Sequence, residues 1–67
     1  MIINRVRARR LELGMTLGQL SKESGVPIST IAAIESGTEP KVTTAQRLAW
    51  ALYTPIDELW PLNPKLF

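Results

Sequence analysis

The strongest constraint on this chain is how often it is interrupted. Gly14, Gly25, Pro27, Gly37, Pro40, Pro55 and Pro61 break its 67 residues into short stretches. Glycine ends a helix by entering the left-handed region at no steric cost, and proline removes a backbone donor. Between the breakers the apolar residues recur at helical spacing rather than in alternation. The chain therefore reads as a series of short helices. None is long enough to be stable alone in water, so they must be stabilised by packing on one another.

The first helix is expected from about Asn4 to Leu13, with Asn4 as N-cap, Val6, Arg10 and Leu13 on one face, and Gly14 as the stop. The second covers Leu17 to Ser24. Thr16 is its N-cap, Gln19 completes a capping box, and Gly25 ends it. The third opens at Val26-Pro27, carries Ile28, Ile31, Ala32 and Ile34, runs to about Glu35 and stops at Ser36-Gly37. The fourth follows Pro40 and covers about Val42 to Leu52 on the stripe Val42, Ala45, Leu48, Ala49 and Leu52. In the fifth, Thr54 is the expected cap, Pro55 the first helical residue, and Asp57 the partner in a second capping box before Leu59 and Trp60. The fold class is all-α: five short helices in a single domain over residues 1–67, with a helical core at about 4–60 and an apolar tail at 61–67. Val6, Leu13, Leu20, Val26, Ile31, Ile34, Val42, Ala45, Leu48, Leu52 and Leu59 are the expected core, with Ile56 beside them.

Composition narrows the function. The chain is 45% hydrophobic, as in a folded globule. It has no cysteine and no histidine, which removes disulfides, the usual zinc and haem ligands, and the commonest general bases and nucleophiles. No pair of carboxylates suggests a catalytic cleft. No catalytic site, metal or cofactor is expected, and no small-molecule ligand is evident. No apolar run approaches the roughly 20 residues of a membrane span. The start Met1-Ile2-Ile3-Asn4 turns basic without the apolar region of a signal peptide. A cytoplasmic protein with no membrane partner is expected. Net charge is +2, but Arg5, Arg7, Arg9 and Arg10 cluster while the acids are scattered. Such a cluster fits either a polyanionic partner or a solvated helix face.

The joint between helices two and three is the most informative stretch. It reads Leu20-Ser21-Lys22-Glu23-Ser24-Gly25-Val26-Pro27-Ile28-Ser29-Thr30-Ile31. Two short helices joined by a tight glycine-containing turn can place the second in the major groove of DNA while the first crosses the backbone. With Val6, Arg10, Gly14, Thr16, Leu20, Gly25-Val26, Thr30-Ile31, Ile34-Glu35 and Gly37, followed by Pro40, Val42, Leu48-Ala49, Leu52, Asp57 and Leu59, the chain resembles the lambda-repressor-like helix-turn-helix domains of the Cro and phage-repressor type. The resemblance covers residues 4 to 60. It also allows a small antiparallel β-sheet from the two chain ends, with Ile2, Ile3, Leu62, Leu66 and Phe67 as its apolar faces. Pro61 and Pro64 would confine any tail strand to an edge.

The resemblance implies roles for particular residues. Arg10 and Glu35 match a structural ion pair between helix one and the end of helix three. Thr16 and Leu17, at the start of helix two, match a phosphate contact, although relatives often carry glutamine where this chain has Leu17. Pro27, Ile28, Ser29, Ala32 and Ala33 match positions facing base edges. Ser36, Thr38 and Lys41 lie in the loop that touches phosphates. None of the base-facing positions is Arg, Lys, Asn or Gln, so the bidentate readout of guanine and adenine is missing. Thymine methyls and DNA shape are what such a surface can read. Trp50, Tyr53, Trp60, Leu66 and Phe67 are the candidate dimer interface, since large apolar groups on so small a domain belong to its core or to a contact.

The expected function is sequence-specific transcriptional regulation. The leading form is a repressor that binds double-stranded DNA as a homodimer on a palindromic operator. The competing reading is a protein-interaction module, such as an antitoxin-type autoregulator. The apolar face of helix three is the feature in its favour.

Overall fold

The computed structural model describes residues 4–61, and all regular structure among them is helical. The elements are α1 (Val6–Glu12), α2 (Leu17–Ser24), α3 (Ile28–Glu35), α4 (Val42–Ala51) and α5 (Ile56–Leu59). The chain-end segments expected to form a β-sheet lie outside the described residues, as do Leu66 and Phe67. The helices pack around one core: α2 on α3 and α4, α1 on α3, and α5 on α4. Val6, Leu20, Ile31, Leu48, Leu52 and Leu59 are completely buried there, and Ile34, Val26, Ala45 and Ala49 nearly so.

Local sequence accounts for most of the helix ends. The Thr16 hydroxyl accepts from the Gln19 backbone N–H at 3.1 Å, and the Gln19 side chain accepts from the Thr16 N–H at 2.8 Å, so the capping box is complete. The N-cap of α1 is Arg5 rather than the expected Asn4, yet the Asn4 side chain still holds the start of the helix. Asn4 Oδ1 accepts from the Val6 N–H at 3.0 Å, while its Nδ2 donates to the Ile34 carbonyl at 2.8 Å. That second bond ties the start of α1 to the end of α3.

Several other expectations fail for physical reasons. Val42 is 72% exposed and Ile56 37% exposed. Each opens its helix, and helical side chains lean toward the N-terminus, so both point past the core rather than into it. Leu13 is only partly buried against the core from its place at the end of α1. The Thr54–Asp57 capping box does not form, and Pro55 stands before the helix rather than as its first residue. The Thr54 hydroxyl is engaged elsewhere: it accepts from Arg9 Nε at 2.9 Å and donates to the Leu52 carbonyl at 2.8 Å.

Three helices end in the same backbone motif, with two reverse hydrogen bonds closing the last turn. In α1 these run from Gly14 N–H to Leu11 O and Met15 N–H to Arg10 O; in α3, from Gly37 N–H to Ile34 O and Thr38 N–H to Ala33 O. In α4 they run from Tyr53 N–H to Trp50 O and Thr54 N–H to Ala49 O. The motif needs a left-handed residue at its corner. Gly14 and Gly37 serve in the first two, but in α4 the corner is Tyr53, at φ 53°. A side chain in that region costs about 1 kcal/mol, and Tyr53, 74% exposed, recovers little of it by burial. Tyr53→Gly is therefore expected to raise stability by about 0.5–1 kcal/mol, or roughly 3–6 °C in Tm. Thermal unfolding followed by circular dichroism checks this, and an unchanged or lower Tm would show that the Tyr53 side chain contributes more than its exposure implies.

Candidate nucleic-acid interface

The turn between α2 and α3 is built by a buried serine. Ser24 Oγ donates to the Leu20 carbonyl at 2.7 Å and accepts from the Val26 N–H at 3.2 Å. It thus satisfies an α2 carbonyl and a turn donor with one hydroxyl. Gly25 turns the chain at φ 74°, its N–H on the Ser21 carbonyl at 2.8 Å. Val26 then inserts into the core, and Pro27 sets the extended backbone from which α3 departs.

α3 has a buried face and a free one. Ile31 and Ile34 are sealed in the core, whereas Pro27, Ile28, Ser29, Ala33 and Ser36 are exposed and Ala32 is half-buried. The orientation of α3 is held from its C-terminal end. Arg10 Nε donates to Glu35 Oε2 at 2.8 Å and Nη2 to Oε1 at 3.2 Å, a two-pronged pair between side chains about one-tenth exposed. Arg10 Nη1 also donates to the Met15 carbonyl at 2.8 Å. Hydrogen bonding to Glu35 raises the Arg10 pKa, and the attraction of the carboxylate adds to it. Desolvation opposes this without prevailing.

The free face of α3 lies between two clefts. One contains Pro27, Ser29, Ala33, Thr38 and Lys41, all residues singled out from sequence. The other contains Leu17, Ala32 and Ser36 beside Arg7 and the Arg10–Glu35 pair. Leu17 is half-buried and packs against the core, which explains how an apolar residue is accommodated there. Thr16 is exposed at the start of α2.

Two arginines depart from the sequence reading. Arg9, part of the basic cluster, donates through Nε to the Leu52 carbonyl at 3.1 Å as well as to Thr54, so it fastens α1 to the end of α4. Arg47, not singled out from sequence, lines the first cleft with Lys41. Its only sequence signal was a cation on the polar side of the α4 stripe, which marks a helix surface but not the cleft below it. Among the interface candidates, Trp50 is 79% exposed and Tyr53 74%. Trp60 packs partly against the core, and its indole Nε1, shielded from solvent, has no hydrogen-bond partner among the described residues.

Comparison with known proteins agrees with this geometry. A family model described as helix-turn-helix matches residues 6–59, from the first residue of α1 to the last of α5. No curated protein sequence matches the chain.

Removing one partner of a mostly buried ion pair strands the other charge. Arg10→Met or Glu35→Met alone is expected to cost about 2–3 kcal/mol, while the double replacement Arg10→Met with Glu35→Met recovers much of that loss. Chemical denaturation of the three variants measures the coupling. Single-variant losses under about 0.5 kcal/mol would show that the pair does not hold α3.

Proposed function

The chain belongs to the lambda-repressor/Cro-like helix-turn-helix family of DNA-binding transcription regulators, and on that premise we propose that it is a cytoplasmic, sequence-specific repressor that binds a palindromic operator as a homodimer with α3 in the major groove. The observation that carries this reading is the ridge of exposed Ile28, Ser29, Ala33 and Ser36 with half-buried Ala32, between two clefts bearing cations, on a helix whose other face is locked into the core. Eight helical residues span about 12 Å, a length that suits insertion into the major groove. Thr16, Leu17, Thr38 and Lys41 are assigned to the flanking backbone.

The ridge carries methyl and methylene groups and two hydroxyls. It lacks the groups for bidentate contacts, each worth about 1–3 kcal/mol of discrimination. Base readout is accordingly assigned to thymine methyls against Ile28, Ala32 and Ala33, with DNA shape supplying the remainder. A single surface of this size gives little specificity, which favours two copies on two half-sites. Trp50 and Tyr53 are assigned to the contact between copies, with Trp60 at its edge. Repression is the outcome that occupancy of DNA delivers without a further activity. An antitoxin-type protein-interaction module is the second reading, favoured by the apolar character of the same ridge.

Selection from random duplex DNA with the purified protein tests the proposal. The expected product is an inverted repeat with half-site centres about one helical turn apart. Replacing a contacted thymine with uracil is expected to weaken binding about fourfold, the worth of one buried methyl. Recovery of no motif at low or moderate salt would overturn the proposal and favour the protein-interaction reading.

A further inference from the structure

We propose that Arg47 of α4, which the function above does not use, seats one backbone phosphate of the bound duplex in the cleft beside α3. This inference rests on the DNA-binding reading and adds to it the residue that anchors one flank of the groove.

The argument begins with the cleft itself. It opens alongside Ser29 and Ala33, so it is continuous with the ridge assigned to base edges. The start of α3, the loop after it and the first turns of α4 form its walls. Lys41 and Arg47 supply two cations, and Thr30 and Thr44 supply hydroxyls that can donate to an oxyanion. The exposed Arg47 side chain reaches toward the turn opposite: a Cβ built on Gly25 would lie 4.0 Å from Arg47 Nη1. The guanidinium therefore lies across the helix-turn-helix joint, next to the start of α3, and does not extend away from the domain.

The other arginines show why this one is available. Arg10 is committed to Glu35 and Met15, and Arg9 to Leu52 and Thr54. Arg47 makes no ion pair or side-chain hydrogen bond among the described residues, and neither does Lys41. One carboxylate, Glu39, also lines the cleft and must oppose an anion there. A planar guanidinium suits a phosphate better than an ammonium does, since it can donate two parallel hydrogen bonds. On the far side of the ridge the corresponding cation is Arg7. A helix in the major groove has a phosphate backbone on each side, so cations on both flanks of α3 suit such a target.

The test is binding of a fluorescently labelled random-sequence duplex of about 20 base pairs, two turns of DNA, titrated at several salt concentrations. It compares the wild-type protein with Arg47→Ala, Glu39→Gln and Lys22→Ala, the last an exposed cation outside both clefts. Loss of one phosphate contact reduces the salt slope by about 0.9 and weakens binding roughly eightfold near 0.1 M salt. Arg47→Ala is expected to show that loss while retaining the wild-type Tm. Glu39→Gln is expected to tighten binding, and Lys22→Ala to change the slope far less than Arg47→Ala. Wild-type affinity and slope in Arg47→Ala would overturn the inference and leave the DNA reading standing. Equal losses in Arg47→Ala and Lys22→Ala would also overturn it, by showing a diffuse field rather than a seat. Failure of the wild-type protein to bind the duplex even at low salt would overturn the DNA reading and the inference together.

Discussion

The two-pronged contact between Arg10 and Glu35 is the interaction on which the rest of the architecture depends. Glu35 is the last residue of α3, where the helix dipole is negative and a carboxylate is poorly placed. Arg10 supplies the missing positive charge from the last turn of α1, where the dipole favours a cation. The same guanidinium also holds the Met15 carbonyl just beyond α1. One side chain thus serves the ends of two helices, and a second bond between them, from Asn4 to the Ile34 carbonyl, acts in the same direction. With its C-terminal end fixed twice and Ile31 and Ile34 buried, α3 has little freedom to roll. Its outward ridge is the consequence.

That arrangement redistributes the charge visible in the sequence. The cluster of four N-terminal arginines looks like one basic patch, but two of its members serve as internal fasteners. The cations left beside α3 come from separate places: Arg7 from α1, Lys41 from the loop and Arg47 from α4. The proposed division of labour follows, with affinity drawn from backbone phosphates and selectivity from methyl contacts and DNA shape. A surface without bidentate contacts gives up a few kcal/mol of base discrimination, which a second copy of the domain would restore.

Much of the fold was legible because its causes are local. The Thr16–Gln19 capping box, the stops at Gly14, Gly25 and Gly37, and the inner stripe of α4 each follow from residues within a few positions of one another. The Arg10–Glu35 pair was legible only through family resemblance, because its partners are 25 residues apart. The misreadings share a physical origin. Thr54 has the local credentials of a cap, yet Arg9, 45 residues earlier, takes its hydroxyl. Val42 and Ile56 continue apolar stripes, yet a first-turn residue leans beyond the core. The roles of Ser24, Asn4 and Arg47 had no local signal, since they depend on which backbone or cleft the fold brings to them.

The most direct measurement is a nuclear magnetic resonance titration of the isotope-labelled protein with the selected duplex, following backbone amides. Binding through α3 predicts the largest shifts at Thr16–Leu17, Ile28–Ser29, Ala32–Ala33 and Thr38–Lys41. It also predicts that the amides around Ser24 and Ile31 in the core change little. Shifts confined to Trp50 and Tyr53, with α3 silent, would contradict the assignment of α3 as the DNA-reading helix.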